Sequence, residues 1–315
     1  MTSTVEWSRG SRRAHIEKDR QFLWREDTVA LIARWVGLKP GMKVADVGCG
    51  LGYLGWTYWE FFGCGGSYLG LDLSVDLVCQ AAESSRRWAL QGQARFAAAD
   101  AYHLPLPSGQ VDCTMCQTTL MHVERPSEVM AEMVRITRPG GIVLCKEPDN
   151  LGSWARRTHS SLPPQTLREQ MWAGRMGSIY AEGRRRLGRG DMGIGTKVPK
   201  MMADLGLVDI DARANDLVFL VLPPYKSSRE RFWIHRAQER LQDDRAMQEW
   251  ERDFKECFLA GGGSRSACDR YLRHCREQRG VTAELHRTQV EDGSYFACSA
   301  LGGAFFCVRG VKPAP

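Results

Sequence analysis

The sequence predicts an α/β fold: a doubly wound, mostly parallel, seven-stranded sheet with helical insertions that cap it. Three observations predict this class. Strand-like and helix-like segments alternate five times between residues 43 and 147, a pattern typical of parallel strands joined by right-handed crossovers. A glycine-rich turn at residues 48–52 follows the first of these strands. The alternation stops at Pro148, and the segments beyond it are longer, more helical and more charged.

The first half of the chain supplies the regular elements. Helical spacing of apolar residues predicts helices over 24–37, 53–62 and 75–91. A further helix begins near Pro126, since proline is favoured in a first helical turn. The predicted strands are short apolar segments at 43–47, 67–71, 94–99, 111–116 and 142–147.

The second half is less regular. Residues 212–222 are predicted to be a sixth strand and residues 294–310 a last strand interrupted by a bulge. The stretch from His15 to Trp24 is expected to fold over the site as a lid. The predicted domains are an N-terminal helical lid at 1–38, a core at 39–150, a basic helical cap insertion at 151–200, further core at 201–222, a helical insertion at 223–293, and a final core strand and tail at 294–315.

The composition is that of an ordinary globular protein. Of the 315 residues, 43% are hydrophobic and 25% are charged, which excludes a disordered chain, a collagen-like chain and a coiled-coil rod. The sequence shows neither a secretory signal nor an apolar stretch of the roughly 18 residues that a membrane helix needs. We therefore expect a soluble, cytoplasmic protein with no membrane partner. A net charge of +6 is too small to predict a nucleic-acid partner.

The eleven cysteines lie in apolar segments. Cys113 and Cys116 have C-x-x-C spacing, but residues three apart on a strand point to opposite faces of the sheet. We therefore expect reduced, buried thiols and no metal site.

The glycine turn belongs to the segment VADVGCGLG at 44–52. Its glycines allow close approach of a ligand to the backbone. A dinucleotide fingerprint would need a third glycine where Tyr53 stands. Instead, Asp46, Asp72 and Asp100 mark the carboxyl ends of three strands. Carboxylates repel a pyrophosphate but attract a cation, so the pattern favours a cationic, adenosine-bearing ligand without phosphates.

With these motifs, and with AAADA, VDCTMCQTTLMHV and RPGG, residues 40–147 resemble the class I S-adenosylmethionine-dependent methyltransferases, a family with a Rossmann-like fold. The resemblance implies S-adenosyl-L-methionine as the cofactor. The implied contacts are Asp46, Gly48, Gly50 and Gly52 for the methionine part, Asp72 for the ribose, Asp100 with Ala101 for the adenine, and the backbone of Gln117. Cys49, in a variable position of the turn, and Leu73 are further expected cofactor-binding residues.

Catalytic and acceptor-binding residues are harder to choose, because methyl transfer needs a base only if the acceptor must lose a proton. His122 is a candidate base or pocket residue. Glu147 and Asn150 are candidates to orient an acceptor, although Glu147 could equally cap a loop. Tyr180 and Asn215 are further candidates, the first for catalysis and the second for acceptor binding.

Segment 151–200 has eight Arg and two Lys against three acidic residues. Such a segment is either a solvated helix face or a site for an acidic acceptor. The leading functional prediction is a methyltransferase of the EC 2.1.1 type in small-molecule or secondary metabolism, acting by in-line displacement under the cap. Three alternatives stay open: an enzyme that cyclises S-adenosylmethionine itself and releases methylthioadenosine, a nucleotide-linked oxidoreductase, against which Tyr53 and Asp100 argue, and a non-catalytic cofactor-binding partner protein.

Overall fold

The computed structural model describes residues 24–89, 93–151, 158–215, 218–300 and 304–314. The chain divides into two compact units. The core unit comprises residues 1–149, 190–216 and 304–315, and the inserted unit comprises residues 150–189 and 217–303. All but the last residue of the predicted lid stretch from His15 to Trp24 lies outside the described residues.

A seven-stranded sheet forms the centre of the core unit, with strands numbered in chain order through both units. These strands are β1 Lys43–Val47, β2 Ser67–Asp72, β3 Ala94–Ala98, β4 Val111–Gln117, β5 Thr137–Asp149, β7 Val208–Ala214 and β10 Ala304–Val311. Their order is β3-β2-β1-β4-β5-β10-β7. Strands β1 to β5 are parallel, and β10 runs antiparallel to both β5 and β7. The doubly wound, mostly parallel seven-stranded sheet predicted from the sequence is confirmed.

Helices cover both faces of this sheet. They are α1 Glu26–Val36, α2 Tyr53–Phe62, α3 Val75–Ser85, α4 Pro126–Ile136 and α6 Val198–Asp204. One apolar cluster joins α4 and α6 to Val143 and Cys145 of β5. The other joins α1 and α2 to Leu144 of the same strand. Because successive strand residues point to opposite faces, one apolar strand supplies both clusters.

The cysteines follow the same alternation. Cys113 belongs to the cluster with α1 and α2, whereas Cys116 belongs to the cluster with α4 and α6. All eleven cysteines are free. The prediction that the C-x-x-C thiols do not meet is confirmed.

The inserted unit contains four helices in its described residues, α5 Leu167–Arg186, α7 Ser228–Gln242, α8 Asp244–Ala260 and α9 Arg265–Glu291. It also contains a small sheet of β6 His159–Ser160, β9 Ala297–Ala300 and β8 Val218–Val221, in that order. Helices α5 and α8 approach so closely that a Cβ atom added at Gly183 would lie 1.6 Å from the carbonyl oxygen of Cys257. An aromatic cluster around Phe254 and Phe258 fills the space beside this contact.

Two strand predictions were wrong in the same way. The sixth strand expected over 212–222 is two strands, β7 in the large sheet and β8 in the small one. The last strand expected over 294–310 likewise divides into β9 and β10. An apolar run shows that a segment is extended, but which sheet it joins depends on partners distant in sequence.

The chain leaves and re-enters the core unit at one edge of the large sheet. Asp149, the last residue of β5, pairs with Ala304, the first residue of β10. Ala214, the last residue of β7, pairs with Phe306 nearby on β10. These crossing points therefore lie at the edge where the parallel strands end. No helix in the described part of the chain is long and apolar enough to cross a bilayer.

Candidate functional site

The glycine turn after β1 has the backbone conformation that its sequence requires. Gly48, Gly50 and Gly52 have φ angles of 71°, 53° and 78°, a region that side chains with a Cβ rarely adopt. A Cβ atom at Gly48 would also lie 2.3 Å from Oγ1 of Thr119. The amides of Gly48 and Cys49 donate to the carbonyl of Leu71, at 2.7 and 3.0 Å. The turn is thus held against the end of β2.

Asp72 is fixed at the end of β2 by two backbone amides. One carboxyl oxygen accepts from the amide of Gly50 at 2.8 Å, and the other accepts from the amide of Ser74 at 2.9 Å. Burial raises the pKa of this carboxyl, and the amides oppose that rise. Each oxygen keeps acceptor capacity beyond its one amide. Two neighbouring acceptors at fixed positions suit a vicinal diol such as that of ribose.

Asp46 lies below the turn and is almost completely buried. Its Oδ2 accepts a hydrogen bond of 2.6 Å from the hydroxyl of Tyr68. Burial, together with the charges of Asp46 and Asp72, raises the pKa of the Cys49 thiol well above its usual value. Cys49 is therefore a neutral thiol that packs within the turn, and not a nucleophile.

The other residues expected to bind the cofactor follow β2 and β3. Leu73 is 61% exposed beside the half-buried Asp72, so it offers an apolar surface next to a polar one. Asp100 accepts from the amide of Tyr102 at 3.0 Å. Ala101 is half-buried.

Gln117 ends β4 and is 6% exposed. Its backbone carbonyl accepts from the hydroxyl of Thr118 at 2.7 Å. Its side-chain Oε1 is buried and accepts no hydrogen bond from any residue that the structure describes. Buried polar atoms normally have partners, so this acceptor calls for a donor from outside the described residues.

These features fit the cofactor implied by the resemblance. Residues 47–53 contain no Lys or Arg, and the carboxylates of Asp46 and Asp72 lie close to this turn. Such acceptors match an ammonium group and ribose hydroxyls, whereas a pyrophosphate would need donors or cations. Among the described residues, no three His, Cys, Asp or Glu side chains come together as a metal site.

The burial and hydrogen bonds of Glu147 differ from those expected of a catalytic or acceptor-binding group. It is fully buried. Its Oε1 accepts from the amides of Thr119 and Leu120 at 2.8 and 2.9 Å, and its Oε2 accepts from the amide of Met121 at 3.3 Å. Burial raises the pKa of Glu147 to about 7 against the effect of these amides. The geometry favours a loop-positioning role, because both oxygens already accept from loop amides.

His122 ends the short 3-10 turn Leu120–His122 that Glu147 holds. Its amide donates to the carbonyl of Thr119 at 3.0 Å, and its side chain is half-buried. Gly190 packs on the backbone of Met121 and His122, where a Cβ atom would meet the Met121 carbonyl at 2.1 Å. His122 is therefore well placed by backbone contacts, and its chemical role stays a prediction.

Tyr180 lies in the inserted unit, where its hydroxyl donates to Asp253 at 2.6 Å. Its ring stacks on Phe254 with centroids 5.4 Å apart. Burial raises the pKa of Tyr180 far above its ordinary value, so its hydroxyl does not ionise to act as a base at neutral pH. Its contacts favour a structural role.

Asn150 is the first residue of the inserted unit. Asn215 follows β7 and donates its amide to the carbonyl of Phe305 at 2.8 Å. Both asparagines stay predictions as acceptor contacts.

Six of the ten basic residues in segment 151–200 pair with acidic residues. Arg189 contacts Asp253 at 3.2 Å and Glu256 at 2.7 Å. The basic residues of this segment with an acidic partner are Arg184, Arg185, Arg186, Arg189, Lys197 and Lys200. Charges that are already paired give little support to an acidic acceptor.

Two buried polar residues near the site were missed by sequence reasoning. Tyr68 reads as an ordinary strand residue in SYLGLD. Lys146 is fully buried, donates to the hydroxyl of Tyr58 at 2.8 Å, and lies 3.2 Å from the ring centre of Trp24. The only available signal was a lysine inside the apolar strand IVLCKE.

The motifs of the core unit are shared with known methyltransferases. Residues 45–145 match the profile of a methyltransferase domain. The chain is 38% identical over 103 residues to the ubiquinone biosynthesis O-methyltransferase of Methylococcus capsulatus, which covers 33% of this chain and 42% of that protein. It is 34% identical over 111 residues to an uncharacterised 37.1 kDa protein in transposon Tn4556 of Streptomyces fradiae, which covers 35% of this chain and 31% of that protein.

These matches span less than half the length of either curated relative. A solved structure of a candidate methyltransferase from Bacillus halodurans aligns with 91% of this chain and 100% of its own, with a TM-score of 0.51 and 16% identity. At that identity the likeness shows the fold alone.

Proposed function

Residues 45–145 form a class I S-adenosyl-L-methionine-dependent methyltransferase domain, and from this premise we propose that the protein methylates a small-molecule acceptor. The observation that carries the proposal is Asp72. Its two oxygens are fixed by the amides of Gly50 and Ser74, beside a glycine turn that lacks any basic residue. That combination suits a ribose on a cationic ligand.

Each expected cofactor-binding residue of the core unit that is named below has a proposed role. Asp72 accepts both ribose hydroxyls. The exposed side chain of Leu73 packs on the adenine, with Asp100 and Ala101 at its edge. The buried Oε1 of Gln117 accepts from the ammonium group. Asp46 contributes negative charge below the glycine turn.

S-adenosylmethionine, when bound, supplies a methyl group on a sulfonium, which is already activated for in-line displacement. The protein then has to position the acceptor and exclude water. Glu147 fixes the amides of residues 119–121 and so sets where His122 lies. For a hydroxyl acceptor, His122 would take the proton; for an amine that is already neutral, it would only shape the pocket.

A small acceptor is supported by the relatives. Two relatives are named for small-molecule methylation, the ubiquinone biosynthesis enzyme above and a phosphoethanolamine N-methyltransferase of Zea mays. The second is 31% identical over 117 residues, which are 36% of this chain and 23% of that protein.

The test uses two isosteric variants four residues apart. Asp72→Asn keeps the shape but removes the charge at the proposed ribose site, whereas Asp76→Asn changes an exposed carboxylate in the first turn of α3. Calorimetry should show S-adenosylmethionine binding that Asp72→Asn weakens about 30-fold or more, since two charge-assisted hydrogen bonds are lost. Asp76→Asn should bind as the unaltered protein does.

Product analysis by mass spectrometry decides the reaction. We expect S-adenosylhomocysteine only when cell extract is added as a source of acceptors. Methylthioadenosine formed without extract would overturn methyl transfer and make S-adenosylmethionine itself the substrate. Failure of the unaltered protein to bind S-adenosylmethionine would overturn the proposal altogether.

A further inference from the structure

The Tyr68 hydroxyl is a polar group placed within an apolar cluster. Tyr68 lies on β2, opposite Val44 of β1, and is fully buried. Its ring contacts Trp88 and Phe96, with centroids 5.7 and 5.5 Å away. Its hydroxyl donates to Oδ2 of Asp46 at 2.6 Å. A phenylalanine would fill the same apolar space, so packing alone does not explain why this residue is a tyrosine.

The neighbouring helix leaves room for this ring. Gly55 lies in α2, and a Cβ atom there would lie 2.7 Å from two ring atoms of Tyr68 and 2.9 Å from Trp88. A glycine inside a helix lowers helix stability by about 1 kcal/mol relative to alanine. Gly55 therefore lowers the stability of α2 but avoids a clash with the Tyr68 ring.

The Tyr68 hydroxyl is a suitable donor for the buried Asp46 carboxylate. A buried carboxylate is costly unless it accepts hydrogen bonds. Burial and the charge of Asp46 raise the pKa of Tyr68 well above its usual value. The phenol therefore keeps its proton and remains a donor throughout the neutral pH range.

We propose that Tyr68 is a positioning residue for the cofactor site, and that its hydroxyl holds the Asp46 carboxylate in the orientation that S-adenosylmethionine requires. The inference rests on the proposed function. Tyr68 itself contacts the carboxylate, and its effect on the cofactor passes through Asp46. The same bond fixes the end of β1 from which the glycine turn starts.

A double-mutant cycle tests this coupling. Tyr68→Phe should weaken S-adenosylmethionine binding about 10-fold, the usual effect of losing a hydrogen bond to a charged group. In a chain that already carries Asp46→Asn, adding Tyr68→Phe should weaken binding less than 2-fold. Trp88→Leu is the matched control, since it disturbs the same aromatic cluster without touching the hydroxyl, and should bind within 2-fold of the unaltered protein.

The outcomes are distinct. Two results would overturn the positioning role while the proposed function stands: Tyr68→Phe binds normally, or it weakens binding equally with and without the Asp46→Asn substitution. If the unaltered protein does not bind S-adenosylmethionine at any pH, the proposed function fails, and the inference fails with it.

Discussion

Asp72 and Glu147 show how partners decide the role of a carboxylate. Both lie near the carboxyl end of a parallel strand. Asp72 is half-buried and accepts one amide on each oxygen, so acceptor capacity remains for a ligand. Glu147 is fully buried and accepts three amides. The first carboxylate suits binding, and the second organises the loop that contains His122.

The raised pKa of Glu147 leads to a prediction on stability. Its pKa is about 7 in the folded protein, against about 4.3 in an unfolded chain. Folding therefore favours the protonated form, so the stabilisation is complete at low pH and is lost as the pH rises from about 4.5 to 7. Glu147→Gln cannot titrate. Denaturant unfolding should show the unaltered protein losing about 3 kcal/mol relative to this variant between pH 4 and pH 8.

The matched control for that measurement is Glu83→Gln, which changes an exposed carboxylate on α3. Its stability should follow the pH curve of the unaltered protein. Parallel curves for Glu147→Gln and the unaltered protein would show that Glu147 keeps an ordinary pKa.

At the level of elements, the contact between α5 and α8 depends on glycine. Gly183 faces the backbone of Cys257, and Gly261 just beyond α8 faces the carbonyl of Ile179, 2.0 Å from where a Cβ atom would lie. The helices therefore meet through their backbones. The salt bridges of Arg189 with Asp253 and Glu256 lie in the same pair of segments.

Two alanine substitutions in one helix should have opposite effects. Gly183→Ala would force a Cβ atom against the α8 backbone and should lower the free energy of unfolding by about 3 kcal/mol. Gly174→Ala lies in the same helix with nothing within 4 Å of the added atom, and should raise it by about 0.5 to 1 kcal/mol. Denaturant unfolding followed by circular dichroism measures both. Equal stabilities of the two variants would mean that α5 and α8 do not touch at Gly183.

At the scale of the whole molecule, the proposed cofactor contacts all lie in the core unit, although the inserted unit interrupts it twice. The inserted unit has its own aromatic core around Phe254 and Phe258. We therefore expect cofactor binding and acceptor choice to be separable properties of the two units.

Hydrogen exchange should show this separation. Adding S-adenosylhomocysteine should slow amide exchange at residues 47–53 and 72–74, where the proposed contacts lie, while the amides in the middle of α8 keep their rates. The Asp72→Asn variant at the same ligand concentration should show no slowing. Unchanged exchange at 47–53 in the unaltered protein, under conditions where calorimetry detects binding, would place the ligand elsewhere.

The sequence by itself determined the five parallel strands, the glycine turn and the acidic strand ends. These depend on neighbours within a few residues: apolar runs, positive φ angles at Gly48, Gly50 and Gly52, and carboxylates where strands stop. A motif of this kind is visible along the chain because its geometry is local. The family resemblance rests on the same segments.

Only the tertiary structure decided how the remaining polar groups are used. It assigned Glu147 to three loop amides, Tyr180 to Asp253, and six of the ten basic residues of segment 151–200 to acidic partners. It also joined Tyr68 to Asp46 across two strands, and divided the apolar run at 212–222 between two sheets. The physical reason is common to all of them: burial and hydrogen-bond partners come from residues far apart in sequence, so the same side chain can bind a ligand or support the fold according to what surrounds it.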